Sequence, residues 1–203
     1  MNIVYIHGNQ ASSESFNFIR AHMTGHNPLF LEYNGEHGFY CNHQRMREQL
    51  AGVDDIFFVA HSLGGIHALH LANELPDKVA GAVTISTPYG GSKAAEVIQY
   101  LLPLSQLVKD IQPSSAPIVE GNRFKVVHPW TNIVTTKGHS PLMTLPNDGV
   151  VTHASMRYRK DITLVDVPRN HYEILLSHEA VAIIKNAIEG IGSTVCRKSI
   201  ACA

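Results

Sequence analysis

A serine stands at residue 62 between a predicted strand and a predicted helix, a position from which a hydroxyl can act as a nucleophile. Residues 56–65 read IFFVAHSLGG, a run of large apolar side chains that stops at small residues. Such a run is typical of a strand buried on both faces, and helical spacing begins at Gly64. Small residues at a strand-to-helix turn let the two elements approach closely, as a nucleophile elbow requires. Ala60 stands where the usual pattern has glycine, which adds one methyl group.

Two further side chains follow in an order that suits a serine nucleophile. Asp148 lies in NDGVV, after a strand and a loop, where a carboxylate can orient an imidazole; taken alone, it reads more simply as an Asp-Gly turn. His171 lies between a predicted strand and a helix, at the edge where open α/β sheets carry catalysis. Ser62, Asp148, His171 is the chain order of the α/β-hydrolase triad. The joint agreement predicts that these three residues are catalytic.

The loop after the first strand supplies the remaining part of such a site. Strand Asn2–Ile6 is followed by His7-Gly8-Asn9. A second backbone N–H from another strand-to-helix loop is needed for an oxyanion hole, so we expect the N–H of Asn9 to pair with that of Leu63. Four residues support these motifs: His7, Gly8, His61 and Gly64. We expect His61 to be structural, with substrate contact as its alternative role.

Other residues compete for the roles of base and acid. His153 follows the predicted acid too closely along the chain, and His178 lies within the predicted helix beyond His171. Asp166 is the alternative acid, but it sits on the strand end that also carries His171, which is a less natural place from which to orient that ring. The sequence therefore favours Asp148 and His171.

The histidines and cysteines also raise the question of a metal or disulfide framework. Among 13 histidines, two pairs have helical spacing: His22 with His26, and His67 with His70. Zinc usually takes three or four protein ligands, and no HExxH or CxxC accompanies these pairs. We therefore predict solvated or capped histidines, no metal and no cofactor. Three cysteines, an odd number, argue against a disulfide framework.

Composition excludes several classes of partner. The chain of 203 residues has 16 Lys+Arg against 17 Asp+Glu, without a block of like charge. This predicts no nucleic-acid groove and no polybasic membrane anchor. No apolar run approaches the roughly 20 residues that a membrane span needs, so no stable membrane insertion is expected. The start, MNIVYIHGN, enters a strand without the features of a secretory signal, which predicts a cytoplasmic protein. The pattern leaves the oligomeric state unknown.

The alternation of strand-like and helical segments predicts an α/β protein with a parallel sheet. Strands are predicted at Ile3–Ile6, Leu29–Tyr33, Ile56–Ala60, Val79–Ser86, Trp130–Thr135 and Ile162–Val165. Helices are predicted at Ser13–Met23, His43–Leu50, Gly64–Leu75 and Tyr172–Glu189, the last ending at Gly190. We expect one domain over residues 1–192 and a flexible tail over 193–203. Residues 88–127 do not fit the alternation of strands and helices. Two interpretations are open: a cap over the site, or an extra helix packed on the sheet.

The chain resembles the α/β-hydrolase superfamily, and within it small bacterial serine lipases and esterases with a trimmed six-stranded core. The motifs are YIHGN, FVAHSLGG, STPYGGS, NDGVV and RNHYEILL, which span residues 3–178. The resemblance implies a three-layer sandwich with a mostly parallel sheet of about six strands. It also implies cleavage of a small-molecule or lipid ester through an acyl-enzyme intermediate, without a cofactor. Thioester hydrolysis, acyl transfer and non-catalytic ligand binding are the alternatives on the same fold.

Overall fold

Six strands form one parallel sheet in the order β2-β1-β3-β4-β5-β6. The strands are β1 (Asn2–Ile6), β2 (Asn27–Leu31), β3 (Ile56–His61), β4 (Val79–Ile85), β5 (Trp130–Thr135) and β6 (Thr163–Val167). This computed structural model describes residues 1–92, 95, 106–141 and 143–200, with the backbone alone for 107 and 193–200. Because all strands are parallel, their carboxyl ends meet at one edge, which is the edge that carries Ser62 and His171.

Helices cover both faces of this sheet. They are α1 (Asn17–Ala21), α2 (Phe39–Gln49), α3 (Leu63–Glu74), α4 (Gln106–Asp110), α5 (Ala116–Gly121), α6 (His153–Met156) and α7 (His178–Ile200). Successive side chains of β1 alternate between two cores, since side chains on a strand point to opposite faces. Val4 and Ile6 pack in the cluster that includes α2 and α3, whereas Ile3 and Tyr5 pack in the cluster that includes α1 and α7. The predicted three-layer α/β sandwich with six parallel strands is confirmed.

The C-terminal helix differs from the prediction at both ends. A short 3-10 turn over Glu173–Leu176 precedes it, and the helix itself runs over His178–Ile200. Its start follows from a cap, because Ser177 Oγ accepts a hydrogen bond from the N–H of Ala180 at 3.1 Å. The predicted end at Gly190 is wrong: the helix passes through this glycine, whose backbone keeps a conformation open to any residue. That residues 1–192 form a single domain and that 193–203 are flexible both stay predictions.

The segment of residues 88–127 contains two short helices in its described part. Asp110, at the end of α4, accepts a hydrogen bond from the N–H of Phe39 at 2.8 Å. Glu120, in α5, accepts one from the Tyr40 hydroxyl at 2.6 Å. Both bonds tie the segment to the first turn of α2. Residues 93–94 and 96–105 of the segment lie outside the described residues, so its role as a cap or as an extra helix packed on the sheet stays a prediction.

Within the ranges that the structure describes, none of the helices combines the length and the apolar character that crossing a bilayer requires.

Candidate active site

The turn after β3 holds Ser62 in a backbone conformation that few residues adopt. Its φ is +53° and its ψ is −124°, outside the regions open to L-residues without strain. The Ser62 N–H donates to the carbonyl of Ile85 at 2.8 Å, which fixes the turn to the end of β4. The side chain is therefore presented at the carboxyl edge of the sheet, at the start of α3.

Small residues after the serine are required by close contacts between α3 and the sheet. A Cβ on Gly64 would overlap the main-chain carbonyl oxygen of Ile6, at the end of β1. Since backbone atoms cannot move aside like the tip of a flexible side chain, glycine is needed here. Ala60, which replaces glycine before the serine, is fully buried within β3 and carries no such clash. The local sequence thus explains the sharp turn.

Asp148 and His171 meet at the same edge, 23 residues apart in sequence. The Nδ1 of His171 donates to Asp148 Oδ2 at 2.8 Å. A second link joins their backbones, because the His171 N–H donates to the Asp148 carbonyl at 3.1 Å. Both side chains are buried, with 1% of Asp148 and 2% of His171 exposed. The loops after β5 and β6 are therefore fixed to each other where the acid and base were predicted.

The Asp148 carboxylate is surrounded by donors. Its Oδ1 accepts from the N–H groups of Val150 at 3.0 Å and Val151 at 2.7 Å. Its Oδ2 accepts from the hydroxyl of Thr135 at 2.5 Å, in addition to the imidazole. Burial alone would raise the pKa of Asp148, but the bonds and charge of His171, with those from Thr135 and Val151, outweigh burial and hold it below its ordinary value. The side chain is an ionised carboxylate near neutral pH.

Thr135 is a site residue that the sequence analysis did not single out. It ends β5, and its hydroxyl also contacts Ser86, the residue after β4, at 2.8 Å. The signal in the sequence was a hydroxyl residue at the carboxyl ends of two predicted strands, the edge where ligands lie in open α/β sheets. The two hydroxyls meet because these two strands are neighbours in the sheet. A single sequence does not show which strands are neighbours.

His61 connects three parts of the site. Its Nε2 donates to the main-chain carbonyl of His171 at 2.9 Å, and the two rings lie 4.6 Å apart. Gly8 packs so closely on the other side that a Cβ there would lie 2.8 Å from His61 Nδ1. Burial, with the neighbouring His171, lowers the pKa of His61 to about 3, so this ring is neutral. His61 also lines the cavity described below, which keeps substrate contact open as a second role.

The loop after β1 is fixed by His7. Its Nδ1 donates to the carbonyl of Gly8 at 2.7 Å, and its Nε2 lies 2.9 Å from a carboxylate oxygen of Glu32. The ring stacks on Tyr33 with 4.4 Å between centroids. These contacts hold the turn that carries Asn9, which lines the same cavity as the serine.

A cavity of about 320 Å³ contains these groups. Its wall includes Ser62 and His171 together with the loop at Asn9 and the first residue of α3, Leu63. The described lining contains no Asp, Glu, Lys or Arg. Apolar side chains make up much of the remaining wall: Ala11, Pro88, Ala95, Val108, Ile111, Met143, Val150, Val151 and Leu175. The site suits an uncharged, largely apolar group.

The structure places the serine and the imidazole in the wall of one cavity. Across the described ranges, no hydrogen bond joins Ser62 Oγ to the ring of His171. Catalytic hydrogen bonds are often long without substrate and tighten when it binds. The rival acid Asp166 is exposed and forms a two-oxygen ion pair with Arg157 at 2.6 Å. Among the described residues, no hydrogen bond or ion pair joins it to His171.

The remaining histidines do not assemble a metal site. No cluster of three or more His, Cys, Asp or Glu suited to a metal occurs in the part of the chain that the structure describes. The prediction that His67 and His70 are solvated or capped is wrong for His67. This ring is fully buried, stacks on Phe39 at 4.0 Å, and has no partner for either nitrogen. His70 is also buried, and its Nε2 donates to the Pro117 carbonyl at 2.9 Å.

Comparisons with known proteins agree with this architecture. A family profile described as alpha/beta hydrolase fold matches residues 34–114. A lipase-esterase related protein from Clostridium acetobutylicum ATCC 824 superposes with a TM-score of 0.66 at 14% identity, over 91% of this chain and 93% of the other. The mature form of the Bacillus licheniformis lipase BlEst2 gives 0.64 at 15% identity, over 91% and 90%.

A third similar structure has a different activity in its name. The Vlm2 thioesterase domain, solved with a bound dodecadepsipeptide, superposes with a TM-score of 0.59 at 18% identity, over 91% of this chain and 94% of the other. At such identities the likeness establishes the fold alone. No curated protein matches the chain by sequence. Together with the sheet topology, the profile match over residues 34–114 and these structures define an α/β-hydrolase fold.

Proposed function

We propose that this protein is a serine hydrolase that cleaves carboxylic esters, as esterases and lipases do. One observation carries the proposal: a buried Asp148–His171 pair opens into the cavity that also holds Ser62 on its strained turn. A nucleophile, a base and a group that orients the base are the three parts that nucleophilic catalysis by serine requires.

The arrangement supports a two-stage mechanism. Ser62 Oγ attacks the ester carbonyl as His171 Nε2 takes its proton, while Asp148 holds the Nδ1–H tautomer and stabilises the imidazolium. His171 then protonates the leaving alcohol, which leaves an acyl group on Ser62. Water repeats the sequence, with His171 again as base, and releases the acid. No metal or cofactor enters these steps.

The oxyanion of each tetrahedral intermediate is assigned to the N–H groups of Asn9 and Leu63. Leu63 is the first residue of α3, so its N–H has no partner within the helix and is available to a ligand. Asn9 lies on the loop fixed by His7, across the same cavity. Two such donors stabilise charge that develops only as the reaction proceeds, and loss of one typically costs about 3–4 kcal/mol.

The described lining of the cavity supports a proposal for the substrate class. Because that lining carries no charged side chain and is largely apolar, it favours the uncharged acyl group of a small-molecule or lipid ester. Thioester hydrolysis and acyl transfer use the same residues and differ only in the group that leaves or accepts the acyl chain. The likeness to the Vlm2 thioesterase domain makes a thioester the second candidate substrate.

The test compares the wild type with Ser62→Ala on p-nitrophenyl esters from acetate to palmitate, alongside an acyl-CoA thioester. We expect ester hydrolysis by the wild type and a loss of at least about 1,000-fold in kcat for the variant. Ser15→Ala, which changes another serine of the cavity wall, is the matched control and is expected to retain activity. Full activity in Ser62→Ala would overturn the proposal. A folded wild type that is inactive on esters and unlabelled by a fluorophosphonate would instead favour non-catalytic binding.

A further inference from the structure

A row of buried hydroxyl groups leads from the centre of the sheet to the Asp148 carboxylate. Ser86 follows β4 and Thr135 ends β5, and neither side chain is exposed to solvent. Their hydroxyl oxygens lie 2.8 Å apart, and Thr135 Oγ1 lies 2.5 Å from Asp148 Oδ2. The same Oδ2 accepts from His171 Nδ1 at 2.8 Å. Four side chains from four segments therefore form one continuous chain of hydrogen bonds.

The direction of each bond is fixed by chemistry. An ionised carboxylate can only accept, so the Thr135 hydroxyl donates to Asp148. Because the only hydroxyl proton of Thr135 is used in that bond, Thr135 Oγ1 must accept a hydrogen bond from the Ser86 hydroxyl. Donation by Ser86 polarises the Thr135 hydroxyl and makes it a stronger donor. The Ser86 backbone has a φ of +53°, an unusual conformation for a serine inside a sheet protein, and its N–H donates to Ile133 at 2.9 Å.

From this geometry we infer that Thr135 and Ser86 are positioning residues, which hold the Asp148 carboxylate toward His171 and set how strongly it attracts the imidazolium. The inference rests on the proposed function, because it assigns a purpose to the carboxylate in the same site. Backbone donors occupy Oδ1, at Val150 and Val151, whereas Thr135 shares Oδ2 with the imidazole. Thr135 is thus the side chain that competes directly with His171 for charge on one oxygen.

The consequence for the imidazole has a definite sign. Without the Thr135 donor, more uncompensated negative charge on Oδ2 faces His171, and the imidazolium form is stabilised. A base that must be neutral to accept the Ser62 proton then becomes available only at higher pH. Among the residues that the structure describes, the titratable groups that face His171 are Asp148, the His61 ring at 4.6 Å and the Tyr172 ring at 5.2 Å. His61 is neutral throughout this range because burial keeps its pKa at about 3.

The experiment measures the pH dependence of kcat/KM for p-nitrophenyl butyrate between pH 5 and 9 in a set of variants. Thr135→Val removes the hydroxyl at nearly constant shape, Thr135→Ser keeps it, and Ser86→Ala removes the second member of the chain. Thr136→Val is the matched control, because its hydroxyl donates to the Val167 carbonyl at 3.3 Å and not to the site. The midpoint of thermal unfolding is recorded for each variant.

We expect Thr135→Val to lower kcat/KM by about 10- to 100-fold, which is typical for loss of a hydrogen bond to a charged group, and to move the acid limb to higher pH. Thr135→Ser restores both values toward the wild type. Ser86→Ala is expected to move the acid limb in the same direction as Thr135→Val, but by less. The double variant Ser86→Ala with Thr135→Val moves it no further than Thr135→Val alone, since the two residues act in series.

An NMR titration of the His171 ring in the same variants reports on the chain whether or not the protein hydrolyses esters. The inference would be overturned if Thr135→Val had the same acid limb in its kcat/KM profile and the same His171 titration as Thr136→Val. This holds even if Ser62 is established as the nucleophile. If the displacements of the acid limb caused by the two substitutions add up in the double variant, Ser86 does not act through Thr135 and is not part of the hydrogen-bond chain. Conversely, a His171 titration displaced by Thr135→Val in a protein without esterase activity would uphold the positioning role and refute the proposed reaction.

Discussion

His61 Nε2 donates a hydrogen bond to the main-chain carbonyl of His171 at 2.9 Å, across 110 positions of sequence. The residue that precedes the proposed nucleophile is thereby joined to the backbone of the proposed base. Because the carbonyl can only accept, the bond fixes the Nε2–H tautomer of His61 and leaves Nδ1 facing Gly8 without a hydrogen-bond partner. The separation between serine and imidazole is therefore governed in part by a histidine that does not itself titrate near neutrality.

Replacement of His61 tests this connection. We expect His61→Leu to lower kcat about 10-fold, the upper end of the effect of one lost neutral hydrogen bond, because the His171 loop loses its link to the elbow. His61→Gln retains an N–H donor near the same place and is expected to keep most of the activity. Steady-state kinetics with p-nitrophenyl butyrate give the comparison. Equal losses in the two variants would show that ring packing matters and the hydrogen bond does not.

Asp148→Asn tests the acid. An amide in place of the carboxylate no longer fixes the Nδ1–H tautomer of His171, and kcat is expected to fall by about 10⁴-fold. Asp166→Asn is the control at the rival acid, which is exposed and paired with Arg157. That variant is expected to retain wild-type kcat. If instead Asp166→Asn were the inactive one, the assignment of the acid would be reversed.

Buried neutral histidines predict a loss of stability in acid. Burial lowers the pKa of His61 to about 3 and that of His67 well below its ordinary value. In the unfolded chain these rings take up protons below about pH 6.5. In the folded protein they stay neutral, so the unfolded state binds more protons in this range. The free energy of unfolding has its full value, with no loss caused by these two rings, above about pH 6.5. It decreases by about 1.4 kcal/mol per pH unit for each ring as the pH falls toward the folded-state pKa.

His67→Leu isolates one of these contributions. The variant removes a ring with two unpartnered nitrogens from an apolar environment, so we expect greater stability at every pH below 6.5 and a smaller slope. Urea unfolding at half-unit steps from pH 4.5 to 7.5 measures both quantities. His139→Gln, at an exposed histidine, is expected to keep the wild-type slope. A slope that is identical in His67→Leu and the wild type would contradict the prediction.

Gly190→Ala tests the course of the last helix. Residue 190 lies inside α7, and a methyl group added at its Cα would meet open space, so alanine is expected to raise the free energy of unfolding by about 0.5–1 kcal/mol. Gly25→Ala is the contrasting control: it also has open space, but a φ of +84°. There alanine is expected to destabilise the protein. Thermal unfolding of both variants decides whether the helix continues past residue 190, since a helix that ended there would make the two variants behave alike.

The fold was largely predictable because its strands are buried on both faces. A run such as Ile56–Ala60 indicates a central strand by composition, and the observed β3 (Ile56–His61) differs by one residue. Helix ends were harder, since they depend on individual caps. Ser177 starts α7 through its hydroxyl, and Gly190 lacks the left-handed backbone that would end it. Neither fact follows from apolar spacing.

The candidate site was predictable to the extent that its parts follow one another in sequence. Ser62, Asp148 and His171 each stand after a predicted strand, and their order carries information. Thr135 and Ser86 were not found, because their role arises from the pairing of β4 with β5. For the same reason the full burial of His67 was missed: helical spacing shows which residues share a face, but not what is packed against it.

The order of the strands also has a consequence for how the protein is made. After β2 has paired with one side of β1, each later strand joins the opposite edge in the order in which it is synthesised: β3, β4, β5 and then β6. The sheet can therefore grow from the N-terminus while the ribosome is still translating. Ser62 arrives early, directly after β3, and His171 arrives only after the final strand. A nascent chain would thus carry the proposed nucleophile through much of its translation without the proposed base.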